Sequence, residues 1–161
     1  MSERVIGLYD KFKSNSLVAL FGFVILIDNV YSLTISYLIT LYDKKLLYTG
    51  IDEFSLLEIF FLAVIIAPLI ETFIFQFLII EILSKFKVNT PLILWISTLL
   101  FSLSHNYNVV YILAMVFPGL LYASFYLFLK KETSKSPFFM IFLLHAIANL
   151  IAFIIDDVFA L

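Results

Sequence analysis

The stretch SLLEIFFLAVIIAPLIETFIFQFLIIEIL, residues 55–83, decides the fold class of this chain. Its charged residues are Glu58, Glu71 and Glu81, and nearly everything else in it is apolar. The hydrocarbon core of a bilayer is about 30 Å thick and is crossed by about 20 apolar residues of α-helix. The stretch therefore predicts a transmembrane helix.

The rest of the chain has the same character. Hydrophobic residues make up 63% of the 161 positions and charged residues 14%, whereas soluble domains are about half apolar and about a quarter charged. Five segments are long and apolar enough, or nearly so, to cross a bilayer: Leu17–Tyr42, Ser55–Leu83, Pro91–His105, Val109–Leu129 and Pro137–Ile155. We predict an all-α fold, a polytopic transmembrane helical bundle with about five spans.

The third segment, Pro91–His105, is the shortest, and at helical rise it reaches only about 22 Å. Either it begins earlier, near Phe86, or the chain turns inside the membrane at the polar link Asn106-Tyr107-Asn108. A turn at that depth is tolerated only where it lines protein or a water-filled cavity. The link thus indicates a site nearby.

The basic residues indicate the orientation. If every segment spans, eight of the ten lie on the side of the N-terminus: Arg4, Lys11, Lys13, Lys85, Lys87, Lys130, Lys131 and Lys135. The positive-inside rule then predicts an integral membrane protein with its N-terminus in the cytoplasm and its C-terminus outside. We divide the chain into a cytoplasmic segment (1–16), one transmembrane domain (17–155) and a short acidic tail (156–161).

Other properties exclude whole classes of function. The chain has no cysteine, so it can use neither a disulfide nor a thiolate. Its formal net charge of −2 gives no reason to expect nucleic acid as a partner.

Ionisable side chains within the spans each need an explanation, because insertion at mid-bilayer costs roughly 2.5–3.5 kcal/mol. We expect Glu81 to pair with Lys85, four residues on. Glu58 lies within a turn of its helix start, where an acid suits the helix dipole. Asp28 is expected to hydrogen-bond to a neighbouring helix.

Glu71 differs, because it lies mid-span with no basic residue within a turn, three residues after the helix-loosening Pro68. We measure depth from the side of the membrane that carries eight of the ten basic residues, which we call the Lys-rich side. At helical rise Glu71 and His105 each lie about 21 Å from it, and Asn149 lies about 18 Å from it. His145 shares a helix face with Asn149. Either histidine alone is explained by an interhelical hydrogen bond. The shared depth favours a common site.

These residues lie in strings that resemble a known family. The strings are Ala67-Pro68-Leu69-Ile70-Glu71-Thr72-Phe73-Ile74-Phe75-Gln76, Phe101-Ser102-Leu103-Ser104-His105 and His145-Ala146-Ile147-Ala148-Asn149, together with the stretch from Phe117 to Tyr122. They are similar to the EExxxR, FxxxH and HxxxN motifs of the CPBP family. That family comprises CAAX prenyl endopeptidases and bacterial proteins described as bacteriocin-processing or abortive-infection-like. The resemblance covers about residues 55–149.

The EExxxR motif departs from the family pattern, since Thr72 stands in place of its second Glu and Gln76 in place of its Arg. Loss of one partner of a buried ion pair leaves an uncompensated charge, and that is costly. Loss of both leaves a neutral Thr–Gln pair that can hydrogen-bond. The pattern indicates a repacked scaffold.

The resemblance implies an intramembrane endopeptidase of the bacterial cell membrane. Glu71 would activate a water with help from His105, while His145 and Asn149 would polarise the scissile carbonyl and hold the oxyanion. Thr72, Gln76 and Phe101 would support these residues. The mechanism needs neither a metal nor another cofactor. The substrate would be a hydrophobic, lipidated or leader-type peptide, in contact with membrane lipids.

Two other interpretations remain open at this stage. Two His and one Glu match a common ligand count of catalytic zinc, although no HExxH motif is present. Alternatively, a weakened family member binds a peptide or confers bacteriocin immunity without hydrolysis. A transporter is disfavoured because the chain shows no inverted repeat.

Overall fold

The computed structural model describes residues 3–50 and 54–158, with side chains from Ser16 to Asp156 within those ranges. Five helices make up most of this part of the chain: α1 (Glu3–Asp43), α2 (Leu56–Lys85), α3 (Thr90–Ser104), α4 (Val109–Glu132) and α5 (Pro137–Phe153). A 3₁₀ turn, Lys44–Leu47, follows α1, and a π turn, Ile154–Val158, follows α5. No strand occurs in the described ranges. The prediction of an all-α bundle is confirmed.

The lengths of the helices agree with membrane spans. Within the described residues, four helical stretches are long and apolar enough to cross a bilayer: Ser16–Leu47, Leu56–Lys85, Val109–Glu132 and Pro137–Asp156. The remaining helix, α3, is apolar but has only 15 residues. The chain is thus an integral membrane protein with four full-length helices and one short one. Helix α1 begins at Glu3, so residues 3–16 are helical and lead into the first span without a break.

The start of α3 settles one of the alternatives for the short segment. Lys87 adopts a left-handed backbone conformation (φ 58°), and the side chain of Asn89 caps the new helix by accepting from Leu92 N–H. An earlier start near Phe86 is therefore wrong. The predicted turn after α3 is present, because the helix ends at Ser104 and α4 begins at Val109.

The turn after α3 is fixed by Asn108. Its Oδ1 accepts from Tyr111 N–H at 2.9 Å and so caps α4, and its Nδ2 donates to the Leu46 carbonyl at 2.8 Å. One side chain thus ends the turn and ties it to the 3₁₀ segment after α1.

Close packing of α3 on α4 forms the centre of the bundle. At Gly119 a Cβ atom would lie 2.9 Å from the Phe101 ring and 3.2 Å from the Thr98 carbonyl oxygen. Only glycine permits this approach. Phe101, Tyr122 and Tyr126 are buried there.

Helix α2 is irregular on both sides of Pro68. The segments Phe60–Ile66 and Thr72–Leu78 are π-helical, and Ala67–Glu71 between them is α-helical. Short π segments occur frequently at functional sites. The predicted disturbance near Pro68 is confirmed. It consists of these two π-helical segments, each of which we call a wide turn.

Each wide turn releases a carbonyl that a neighbouring helix then binds. Ala67 N–H donates to Leu62 O, five residues back, and Pro68 has no N–H, so Ala63 O loses its helical partner. Asn149 Nδ2 on α5 donates to Ala63 O at 2.8 Å.

The second wide turn repeats the arrangement. Ile79 N–H donates to Ile74 O rather than to Phe75 O, and Ser97 Oγ on α3 donates to Phe75 O at 2.8 Å. Side chains of α3 and α5 therefore stabilise the unusual path of α2.

Of the three ionisable residues with expected structural roles, two behave as predicted. Glu58 completes a capping box with Ser55, and Asp28 Oδ2 accepts from the hydroxyl of Tyr122 on α4 at 2.7 Å.

The expected Glu81–Lys85 pair is wrong. Glu81 instead binds Tyr126 Oη at 2.8 Å and Lys130 Nζ at 2.9 Å. Both partners lie on α4, so a contact between helices replaces the local one.

Candidate active site

The structure brings the four predicted site residues to one cavity. Glu71, His105, His145 and Asn149 all line a cavity of about 540 Å³ enclosed by α1, α2, α4 and α5 and the end of α3. Glu71 lies on α2, His105 lies at the end of α3, and His145 and Asn149 lie on α5, so three helices contribute to the cluster.

Glu71 is the centre of the cluster. Its Oε2 lies 3.7 Å from His105 Nε2 and 3.7 Å from His145 Nε2. These distances exceed a hydrogen bond, so in this structure the three groups face one another without direct bonds. Catalytic hydrogen bonds are often this long before substrate binds.

The ring of His105 has a defined orientation. Its Nδ1 lies 2.9 Å from the Phe101 carbonyl oxygen, which can only accept, so Nδ1 carries the proton. In the neutral ring, Nε2 then presents a lone pair towards Glu71. The ring also stacks against Tyr111, with centroids 6.1 Å apart. Residue Phe101 thus orients His105 through its backbone, four residues earlier on α3.

His145 is held by aromatic contacts. It is 5% exposed, and its ring centroid lies 4.8 Å from that of Tyr122 and 5.9 Å from that of Phe101. Its Nδ1 is buried without a hydrogen-bond partner among the described residues. Packing, rather than a second hydrogen bond, positions this ring so that Nε2 faces Glu71.

Asn149 lies one turn beyond His145. One amide hydrogen of its Nδ2 is used by Ala63 O. The other hydrogen and Oδ1 remain for the cavity. Asn149 therefore both supports α2 and lines the site.

Two predicted supporting residues lie elsewhere. Thr72 and Gln76 are completely buried, and neither lines the cavity. The Thr–Gln hydrogen bond that the sequence allows is not formed, because the polar atoms of both side chains have no partner among the described residues. The wide π turn that contains both residues differs from the α-helix on which the expectation relied.

Sequence reasoning missed two aromatic neighbours of the site. Tyr122 lies against His145 and binds Asp28, and Tyr111 stacks on His105. Tyr122 ends the stretch from Phe117 that resembles the family, so a signal for it was present. Tyr111 follows the polar link by a few residues and had no comparable signal.

The zinc alternative requires a set of converging ligands. Among residues 16–50 and 54–156, whose side chains the structure describes, no group of three or more His, Cys, Asp or Glu has a geometry that could hold a metal ion.

Comparison with models of known protein families gives a match over more than half of the chain. The model of the type II CAAX prenyl endopeptidase Rce1-like family matches residues 53–151. The chain belongs to this family. Searches of the curated proteins and of the solved structures gave no match. The matched residues contain α2, α3 and α4 and all four cavity residues named above, and membership implies a protease activity.

Proposed function

We propose that this protein is an intramembrane endopeptidase in which Glu71 and His105 activate a water molecule. The observation that carries the proposal is the position of one carboxylate between two imidazoles in a cavity within the bundle. Glu71 is 22% exposed in that cavity, and within the part of the chain that the structure describes no lysine or arginine forms a salt bridge with it. Peptide hydrolysis needs a base for water and donors for the developing oxyanion.

We assign different roles to the two histidines, and the hydrogen bonds around their rings support this assignment. His105 Nε2 is an acceptor because Nδ1 carries the proton. For His145 we assign the proton to Nε2, since a buried N–H without an acceptor is rarer than an unpaired acceptor. His105 thus helps Glu71 to take a proton from water, and His145 donates a hydrogen bond to the oxyanion.

The reaction follows from these roles. Glu71 accepts a proton from water, and the resulting hydroxide adds to the scissile carbonyl carbon. The oxyanion accepts from His145 Nε2–H and from the remaining N–H of Asn149. The proton held by Glu71 passes to the amide nitrogen, the C–N bond breaks, and a carboxylic acid and an amine are released, between which the acid proton then moves to give a carboxylate and an ammonium group.

We infer that the substrate is a hydrophobic or membrane-tethered peptide, either lipidated or of the leader type. A cavity enclosed by spanning helices is reached most readily by a peptide held at the membrane. The proposed setting is a bacterial cell membrane with the N-terminus in the cytoplasm, as the basic residues indicate. Within this arrangement residues 17–155 act as one transmembrane domain.

The test is hydrolysis by a Glu71→Gln variant. We expect cleavage of a lipidated peptide or of a leader-type bacteriocin peptide to fall at least about 100-fold, because a general base contributes about 10²–10⁴-fold. Glu81→Gln is the matched control on the same helix, since that carboxylate already binds Tyr126 and Lys130. Cleavage that survives in Glu71→Gln, or cleavage of freely soluble peptides alone, contradicts the proposal.

A second candidate function is peptide binding or bacteriocin immunity without hydrolysis. The observation in its favour is that Thr72 and Gln76 are neutral at positions where the family motif carries charges, and that neither side chain has a hydrogen-bond partner in the described part of the chain. The same variant distinguishes the two. A cellular phenotype that survives Glu71→Gln supports binding, and its loss in a folded variant supports hydrolysis.

A further inference from the structure

Helix α1 carries a polar stripe that the proposed reaction does not use. Asp28, Ser32, Ser36, Thr40 and Lys44 follow one another at intervals of four residues, so each lies about one turn beyond the previous one along the helix and its 3₁₀ extension. All five line the cavity that contains Glu71. The stripe lies outside residues 53–151, which the family model matches.

Exposure rises steadily along this stripe. Asp28 is 1% exposed, Ser32 and Ser36 are half-buried, and Thr40 and Lys44 are exposed. The stripe therefore runs from the buried site to the protein surface.

The facing wall belongs to α5 and the π turn after it. Ala148, Ala152 and Asp156 line the cavity there, at intervals of four residues. The two alanines leave space between α5 and the polar face of α1. Residues from Asp28 to Lys44 on one side and from Ala148 to Asp156 on the other thus line one cavity.

The inner end of the stripe offers an acceptor without a donor. Asp28 Oδ2 accepts from Tyr122, whereas Oδ1 is buried and has no hydrogen-bond partner among the described residues. A buried polar atom is costly unless it is hydrogen-bonded. An unpaired carboxylate oxygen in a cavity wall indicates a ligand that donates, such as water or a peptide N–H.

Beyond Asp28 the same face becomes apolar. Val24, four residues earlier, is 6% exposed and belongs to the hydrophobic core, and Leu20 packs against that core. Phe21 beside them contacts the Phe125 ring at 6.3 Å. These packed apolar side chains continue the stripe towards the end of the bundle that carries Lys85 and Lys130, and they are the seal in the proposal below.

We propose that this stripe is the path by which water and the backbone of an extended peptide reach Glu71, and that it opens at the Lys44 end alone. Hydrolysis consumes water, and peptide groups within a membrane need hydrogen-bond partners. Serine and threonine hydroxyls both donate and accept. The peptide part of this inference rests on the proposed function, whereas the water path does not.

The test uses single cysteines, because the natural chain has none. Ser36→Cys is compared with Leu38→Cys, whose side chain is 52% exposed at a similar depth on the outer face of α1, and with Val24→Cys within the proposed seal. A charged, membrane-impermeant maleimide reacts with the thiolate, which forms in water, so we expect Ser36→Cys to react at least about tenfold faster than both controls. Rates should fall in the order Thr40→Cys, Ser36→Cys, Ser32→Cys.

The side of entry is tested in intact cells and in inverted vesicles. Lys45→Cys marks the Lys44 end and Lys135→Cys marks the opposite end. Reaction of Ser36→Cys should occur in the preparation that labels Lys45→Cys. Labelling together with Lys135→Cys, equal rates for Ser36→Cys and Leu38→Cys, or fast labelling of Val24→Cys would each overturn the proposal.

A second measurement separates this inference from the proposed function. Attachment of the maleimide at position 36 should block peptide cleavage, whereas attachment at position 135 should not. If labelling follows the expected pattern but the natural protein cleaves no peptide, the water path stands and the proposed hydrolysis fails.

Discussion

Glu71 and Glu81 lie on the same helix, and each faces two side chains from other parts of the chain, yet their surroundings differ. Glu81 makes two short hydrogen bonds, at 2.8 Å to Tyr126 and 2.9 Å to Lys130. Glu71 has its two histidine partners at 3.7 Å. Completed polar contacts hold helices together, whereas incomplete ones around a cavity leave capacity for water and substrate. The environment of a membrane carboxylate, more than its presence, separates structure from function.

The largest further effect is expected from Asn149→Leu, which removes a hydrogen-bond donor from the cavity around Glu71. We expect cleavage to fall about 100-fold or more, as when an oxyanion donor is lost. Ser97→Ala is the matched control, because it removes a similar bond to the backbone of α2 away from the cavity. Activity within about threefold of the natural protein in Asn149→Leu would remove Asn149 from the reaction, since an oxyanion donor contributes far more than that.

A smaller effect is expected from Lys130→Met, which removes the ion pair between Lys130 and Glu81. Lys130 and Glu81 are each more than a third exposed, so the ion pair should contribute less than about 1 kcal/mol to stability. Thermal unfolding in detergent measures the change, and peptide cleavage should stay near that of the natural protein. A loss of cleavage comparable to that of Glu71→Gln would break the comparison between the two carboxylates.

The smallest effect, and one of opposite sign, is expected from Thr72→Val. The buried Thr72 hydroxyl has no partner among the described residues, so its replacement by a methyl group of similar shape should raise stability by up to about 1 kcal/mol. Ser102→Ala is the control, because Ser102 Oγ donates to Thr98 O at 2.8 Å and its loss should lower stability. A clear decrease in stability for Thr72→Val would show that this hydroxyl is hydrogen-bonded in the membrane.

The sequence predicted the fold class because hydrophobic length alone selects membrane-spanning helices. It also predicted the turn after α3, since Asn106 and Asn108 interrupt an apolar region. The placement of Glu71, His105 and Asn149 at one depth needed only the helical rise. These features depend on position along single helices.

Features that depend on packing between helices were not predictable in this way. The Glu81–Lys85 pair was expected from local spacing, but α4 supplies a nearer partner. α-Helical geometry allowed a Thr72–Gln76 hydrogen bond, but π-helical segments flank Pro68 and the bond is not formed. Tyr111 came to His105 only because the chain reverses after α3.

The sequence by itself therefore determined a membrane helical bundle with one carboxylate, two histidines and an asparagine at a common depth, because hydrophobicity and helical rise act along each helix. The tertiary structure decided which faces of the helices meet. It turned those four side chains towards one cavity, directed the polar face of α1 into the same space, and moved Thr72 and Gln76 away from it. Rotation about a helix axis and the partners on neighbouring helices are set by packing between helices, and no single segment encodes them.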